Sequence, residues 1–214
     1  MKIYDELPQH LESSEPNPDW LSLRAGKFTG SDFHQYMGLV KKDELSDTAE
    51  SNLYKKVLES LGYSFESYRS SAMEDGNENE PLARADYIAE TFNDVHEVGF
   101  VDWEKLRAGC SPDGVIYGTD GQIDKIIEIK CPTIKNYLKM AKGKIPPLYT
   151  TQIQYNLLIT GAKSCDFVVW HPDMRLSIQE IKADANYQKD IITVLEKINA
   201  RYDAILEEIQ EFRK

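Results

Sequence analysis

Cysteine is scarce in this chain, with three among 214 residues. Cys110, Cys131 and Cys165 are far apart and odd in number, which argues against a disulfide framework and for a reducing compartment. Long apolar runs are also missing. None approaches the ~20 residues that span a bilayer, and the start lacks the basic and apolar regions of a secretory signal. The expectation is therefore a cytoplasmic protein with no membrane contact. Histidine is sparse, and the four (His10, His34, His96 and His171) lack metal-ligand spacing, so no zinc site is expected. Internal repeats and low-complexity segments are absent. Positive charge is in short supply: 25 Lys and Arg stand against 36 Asp and Glu, a net charge of −11. That balance is the opposite of what a surface coating nucleic acid by charge alone needs.

The acidic excess is uneven. Residues 101–150 hold eight basic and six acidic side chains, and each of the other quarters is net acidic. Lys130, Lys135, Lys139, Lys142 and Lys144 all fall in this stretch. They read either as a local lining that attracts phosphates or, for Lys135 to Lys144, as one solvated helix face. A chain of this length buries one sizeable core, so a single domain over 1–214 is expected. The pattern predicts helices over 48–61, 81–92, 133–142 and 147–160, the last stopped by Gly161. Strands are predicted near 96–102, 107–117, 124–130, 165–170 and 176–181. Ile191, Leu195, Ile198, Tyr202, Ile205, Ile209 and Phe212 mark a long amphipathic final helix, expected to dock on the sheet. Residues 12–18 read as a polar lead-in and 62–79 as a loop or arm. The fold class is α/β, a central mixed sheet flanked by helices.

One segment carries chemistry. Lys125 to Lys130 read Lys-Ile-Ile-Glu-Ile-Lys, a β-branched run stopped by Pro132. Alternation puts Glu128 and Lys130 on one face and Ile127 and Ile129 on the other. Upstream, Ser111-Pro-Asp-Gly leads into a second strand candidate that ends in the turn cluster Gly118 to Gln122. A hairpin of these strands brings Asp113 beside Glu128. Two carboxylates suit Mg²⁺, which takes oxygen ligands, and an ammonium alongside can stabilise charge on a phosphoryl group. An isolated Glu-x-Lys is equally the solvated face of an edge hairpin. The proline-led acid and the apolar bracketing favour a site for phosphodiester cleavage.

Ser111-Pro-Asp-Gly114 with Glu128-x-Lys130-Cys-Pro132 resembles the phage lambda exonuclease family of viral recombination nucleases. That family lies within the PD-(D/E)xK, restriction-endonuclease-like superfamily. Three further motifs follow in family order: Trp20-Leu-Ser-Leu-Arg-Ala-Gly-Lys-Phe-Thr-Gly-Ser31, Gly76-Asn-Glu-Asn-Glu80 and Tyr149-Thr-Thr-Gln-Ile-Gln-Tyr155. The resemblance implies a restriction-endonuclease-like core. It implies that Asp113, Glu128, the Ile129 carbonyl and Glu80 bind metal, with Lys130 the catalytic lysine. Gln152 and Tyr149 are implied at the water or scissile phosphate, and Gln154 is set apart on another helix face. Arg24, Ser31 and Ser111 are implied to hold a DNA 5′-phosphate, although Ser31 is also placed to cap a helix starting near Asp32.

The implied activity is a Mg²⁺-dependent 5′→3′ exonuclease. It digests one strand of linear double-stranded DNA to mononucleotides and leaves a 3′ single strand for recombination by strand annealing. Two Mg²⁺ ions are implied, with Mn²⁺ as a substitute. So are a homotrimeric ring, a single-strand annealing partner, and a phage or prophage gene acting in a bacterial cell. Two rival readings stay open. One is another nuclease of the superfamily, an endonuclease or a helicase-linked repair nuclease. The other is a non-catalytic DNA-binding recombination module. The three cysteines fall short of the four-cysteine iron–sulfur cluster that some related nucleases carry.

Overall fold

Ser111-Pro112-Asp113 is the joint between two β-sheets. In the computed structural model, which describes residues 1–4, 17–65 and 71–213, the strand expected over 107–117 is broken at this tripeptide. Strand β4 (Ala108–Cys110) precedes it and β5 (Gly114–Tyr117) follows. Pro112 has no N–H to donate to a ladder, so the chain leaves one sheet and enters the other here.

The first sheet runs β1-β3-β4-β2, with β1 (Lys2–Tyr4), β2 (Phe28–Thr29) and β3 (Phe100–Trp103). Strand β2 pairs parallel to β4, with Phe28 opposite Ala108 and Thr29 opposite Gly109. The expected strand near 96–102 begins only at Phe100, and His96 makes an isolated bridge to Val115. The second sheet runs β5-β6-β7-β8, with β6 (Ile123–Lys130), β7 (Ser164–Val169) and β8 (Ser177–Lys182). Strands β5 and β6 form the expected antiparallel hairpin, Gly114 opposite Ile127. Its turn closes through Gly118 N–H to the Gln122 carbonyl at 2.8 Å. Strand β6 pairs parallel to β7, with Glu128 opposite Phe167. The α/β architecture of mixed sheets flanked by helices is as expected, its strands divided between two sheets.

Helix α1 (Pro18–Arg24) starts on the Asn17 side chain, which accepts from Asp19 N–H at 3.0 Å, with Pro18 at its first position. A single turn, α2 (Gly30–Phe33), follows β2 directly and leads into a 3₁₀ segment, His34–Val40. Helix α3 (Asp47–Ser60) is capped by Ser46 and buries Leu53 and Val57. Helix α4 spans Ser71–Thr91 with Pro81 in its interior. Its reach corrects two expectations, since the helix does not begin at Pro81 and residues 71–79 are not a loop. Gly76 and the asparagines beside it favour coil, and Pro81 removes one backbone donor, yet the helix continues. Residues 62–65 of the expected loop carry no helix or strand, and residues 66–70 of it and 12–16 of the lead-in lie outside the described residues.

Helices α5 (Ile134–Met140) and α6 (Pro147–Thr160) follow β6. Pro147 opens α6 at its first position, and Gly161, at φ +72°, closes it in the left-handed conformation that a residue without Cβ adopts freely. Helix α7 (Ala185–Phe212) is capped by Asp184. It packs chiefly on α3, the 3₁₀ segment and α6, so its expected docking on the sheet is corrected. Its apolar stripe matches a helical layer that the sequence does not announce: Lys197 reaches the Leu39 carbonyl at 2.9 Å, and Arg107 bonds Asn199 at 2.9 Å.

Each face of the second sheet has its own cover. Ile126 and Phe167 belong to the main core with α6 and α7 residues. Ile127, Ile129 and Val168 pack on Ala83 and Tyr87 of α4. Glu128 and Lys130 thus face α6, while α4 crosses behind and brings Glu80 toward the same strand end.

Candidate active site

Strand β6 delivers a carboxylate and an ammonium together. Lys130 Nζ lies 2.5 Å from Glu128 Oε1, and Glu128 is 0 % exposed. The second oxygen, Oε2, accepts from Asn156 Nδ2 at 3.1 Å. Asp113 Oδ2 accepts from the Ile129 N–H at 2.6 Å, while Asp113 N–H donates to the Ile127 carbonyl at 3.1 Å. Odd-numbered residues of β6 therefore turn their backbone groups toward Asp113. The Ile129 carbonyl shares that edge, because a strand residue directs its N–H and C=O to the same side.

Glu80 enters from α4. Its Oε1 is 2.5 Å from Arg84 Nη2, and Arg84 Nε donates to the Asp113 carbonyl at 2.9 Å. Arg84 Nη1 also pairs with Glu97 at 3.0 Å. One guanidinium thus ties Glu80 to the Asp113 backbone. On α6, the Tyr149 ring lies 5.2 Å from Lys130 Nζ. Gln152 is half-buried one turn along the same face and makes no side-chain hydrogen bond among the described residues. Gln154 lies elsewhere, as expected: it donates to the Lys182 carbonyl at 2.9 Å and accepts from Asp184 N–H at 2.8 Å.

Crowding sets the electrostatics. Burial, with Asp113 adding, pushes Glu128 up to about 7 against the pull of Lys130. Burial and then Asp113 push Glu80 up to about 8. Burial also raises Asp113, opposed by Lys130 and by the Ile129 N–H. Burial would lower Lys130, but Glu128 and Asp113 outweigh it and hold the ammonium above its usual value. Three carboxylates thus face two fixed cations, Lys130 and Arg84, and the cluster is short of positive charge.

Asp113, Glu128, Glu80 and the Ile129 carbonyl are an oxygen-only donor set, the chemistry a hard divalent cation requires. As they stand, no three acidic, His or Cys side chains among the described residues form a ligand group. Lys130 and Asn156 hold Glu128, and the Ile129 N–H holds Asp113. The donor types and the deficit of positive charge nonetheless fit such an ion.

A second cluster stands at the other side of the joint. Arg24 Nη1 donates to Ser111 Oγ at 3.1 Å, and Nη2 reaches Thr29 Oγ1 at 3.5 Å. Thr29 Oγ1 lies 3.3 Å from Ser31 Oγ. The guanidinium stacks 4.3 Å from the Trp20 ring, and Trp20 Nε1 donates to the Gly99 carbonyl at 2.8 Å. Arg24 has no carboxylate within ion-pair distance among the described residues, and burial lowers its pKa. A guanidinium fork surrounded by hydroxyls is suited to a phosphate. Ser31 is not a helix cap, because α2 starts at Gly30 with Thr29 in the capping position.

The structure thus gathers Asp113, Glu128, Ile129, Lys130, Glu80 and Tyr149 into one group and Arg24, Ser111 and Ser31 into another. Gln152 joins neither by a direct bond. Arg84, Asn156, Trp20 and Thr29 are site neighbours to which the sequence alone assigns no role. Two of these had a signal: Arg84 follows Glu80 by four residues, and Asn156 follows Gln152 by four and Tyr149 by seven, one helix face in each case.

Comparison with known proteins shows the family and the fold. The alkaline exonuclease LHK-Exo from Laribacter hongkongensis matches with a TM-score of 0.80 and 28% identity, over 92% of this chain and 98% of that one. The structure of LHK-Exo in complex with dAMP matches equally, with a TM-score of 0.80. A phage-related exonuclease from Haemophilus somnus 129PT shares the fold, with a TM-score of 0.64 at 18% identity over 86% of this chain and 96% of that one. No curated protein sequence matches. The model of the YqaJ-like viral recombinase domain matches residues 19–163, which span both clusters, and the chain belongs to that family.

Proposed function

We propose that this chain is an exonuclease that digests one strand of linear double-stranded DNA from its 5′ end, using Mg²⁺. The observation that carries the reading is the joint at Ser111-Pro112-Asp113. Ser111 belongs to the hydroxyl and guanidinium cluster, and Asp113, two residues on, belongs to the carboxylate cluster. The membership of a viral recombinase family and the likeness to an alkaline exonuclease both support an enzyme acting on DNA ends.

Asp113, Glu128, Glu80 and the Ile129 carbonyl would hold the cation. When bound, it supplies Lewis-acid charge and lowers the pKa of water, chemistry that often uses two ions in nucleases. The protein's own groups do the positioning. Lys130 Nζ, kept cationic by Glu128 and Asp113, donates hydrogen bonds to the attacking water or to a phosphoryl oxygen as charge grows on it. Tyr149 and Gln152 line that side from α6. Arg24, Thr29, Ser31 and Ser111 hold the terminal phosphate, which places the first phosphodiester at the carboxylates. Mononucleotide release and a 3′ single-strand product belong to the proposal through the resemblance to the viral recombination exonucleases, not through the spacing of these residues. The single domain over 1–214, the homotrimeric ring and a strand-annealing partner complete the proposal.

The test is incubation with end-labelled linear duplex and Mg²⁺, comparing 5′-phosphate with 5′-hydroxyl ends. Labelled mononucleotides released first from 5′-phosphorylated ends are expected. Internal cuts, or release from the 3′ end, would sink the proposal.

A further inference from the structure

Asn156 is buried in α6, and its Oδ1 has no hydrogen-bond partner among the described residues. An orphaned buried carbonyl oxygen costs free energy that an apolar residue would avoid, so the amide needs a reason to be there. Its Nδ2 supplies one, at 3.1 Å from Glu128 Oε2. Lys130 already holds the other oxygen, Oε1, at 2.5 Å. Glu128 is therefore gripped at both oxygens, which fixes rotation about its last side-chain bond. The backbone carbonyl of Asn156 is itself engaged by Thr160 Oγ1 at 2.7 Å.

Gly30 sits against the orphaned oxygen. A Cβ at Gly30 would stand 2.4 Å from Asn156 Oδ1 and 3.2 Å from the Gln152 carbonyl. Only glycine permits that approach. Its neighbours on either side are Thr29 and Ser31, both in the hydroxyl cluster around Arg24. The segment that holds the phosphate pocket thus rests directly on the amide that holds Glu128.

We infer that Asn156 is a positioning residue that fixes the Glu128 carboxylate for cation binding, with Gly30 seating the phosphate-pocket segment against it. The inference rests on the nuclease site proposed above. Residue type decides between Asn156 and its alternatives. Leucine would fill the volume but leave Oε2 unpaired, and aspartate would set a second carboxylate against Glu128.

The experiment titrates Mn²⁺ into the full chain without DNA and follows free Mn²⁺ by electron paramagnetic resonance. Wild type, Asn156→Ala, Asn156→Asp, Gly30→Ala and Asp113→Ala are compared, each checked by circular dichroism. Removal of an outer partner of a metal ligand costs about ten- to a hundred-fold in affinity, and that loss is expected in both Asn156 variants. Their kcat should fall by a similar factor, while KM for 5′-phosphorylated duplex stays unchanged because the Arg24 cluster is intact. Gly30→Ala should weaken Mn²⁺ binding in the same direction. A folded Asn156 variant with wild-type Mn²⁺ affinity and kcat would overturn the inference. So would failure of both Asn156 variants to fold, since the amide would then be part of the core rather than a positioning group. Asp113→Ala separates the two levels: if it too binds Mn²⁺ as wild type does, the proposed site itself fails.

Discussion

Glu128 and Lys130 are two residues apart on β6, and their charged atoms meet at 2.5 Å with the glutamate fully buried. A buried acid in contact with a lysine is costly unless both charges are used. Lys130→Ala would leave Glu128 and Asp113 facing each other without their nearest cation. Loss of a positioned proton donor typically costs 10²- to 10⁴-fold, and a fall of about that size in DNA digestion is expected for Lys130→Ala. Asp113→Ala should remove digestion altogether. Circular dichroism should show both variants folded, and full activity in either would remove that residue from the site.

Arg24 tests the other cluster. Its fork is directed at Ser111 and Thr29 rather than at any carboxylate among the described residues. Arg24→Ala should slow digestion of 5′-phosphorylated duplex by roughly ten-fold or more, the scale of a lost charge-assisted hydrogen bond. Digestion of 5′-hydroxyl ends should change little. Equal losses on the two substrates would show that Arg24 does not read the terminal phosphate.

The charged half of the site was legible because strand alternation is a strict rule: once Lys125–Lys130 reads as a strand, Glu128 and Lys130 must share a face. The hairpin to Asp113 followed from the turn cluster at Gly118–Gln122. The break at Pro112 was also written in the sequence, yet the flanking apolar residues suggested one strand. Asn156 was hidden because a buried asparagine looks like any helix residue until its partner across 28 positions is known. The start of helix α4 is missed because Gly76 and Pro81 are local signals against a helix, and the backbone is helical from Ser71 all the same. The final helix had the right stripe but the wrong partner, since periodicity tells which face is apolar and not what covers it.

Phe92 motivates a prediction about assembly. It follows α4 at φ +56° and is 90% exposed, an apolar side chain in a backbone conformation that non-glycine residues rarely adopt. Such strain and exposure together fit a residue covered by a neighbour. Sizing by light scattering is expected to give three times the 24.5 kDa chain mass. Phe92→Asp should shift the population toward monomer. A wild-type monomer at micromolar concentration would count against the ring.

The carboxylate cluster is expected to make stability depend on pH and, if it holds the proposed cation, on that ion as well. Without a divalent ion, Glu128 titrates at about 7 and Glu80 at about 8 in the folded chain, against about 4.3 for an unperturbed glutamate. The folded state therefore binds more protons than the unfolded state between these values. Stability is then highest below about pH 4 to 5 as far as these groups are concerned, and it falls as pH rises through 7 and 8. Glu128 alone gives a slope of about 1.4 kcal/mol per pH unit within its window, roughly 3–6 °C in Tm for a domain of this size. Thermal melts in chelator at pH 6 and pH 8.5 should show this drop. Mg²⁺ should restore Tm at pH 8.5 and do little at pH 6, where protons compete for the same oxygens. Glu128→Gln should make the chelator profile shallower, because an amide does not titrate, while Glu80 still contributes its share of the fall. A wild-type profile already flat in chelator, or an equal Mg²⁺ effect at both pH values, would mean that the buried carboxylates are not the cation site.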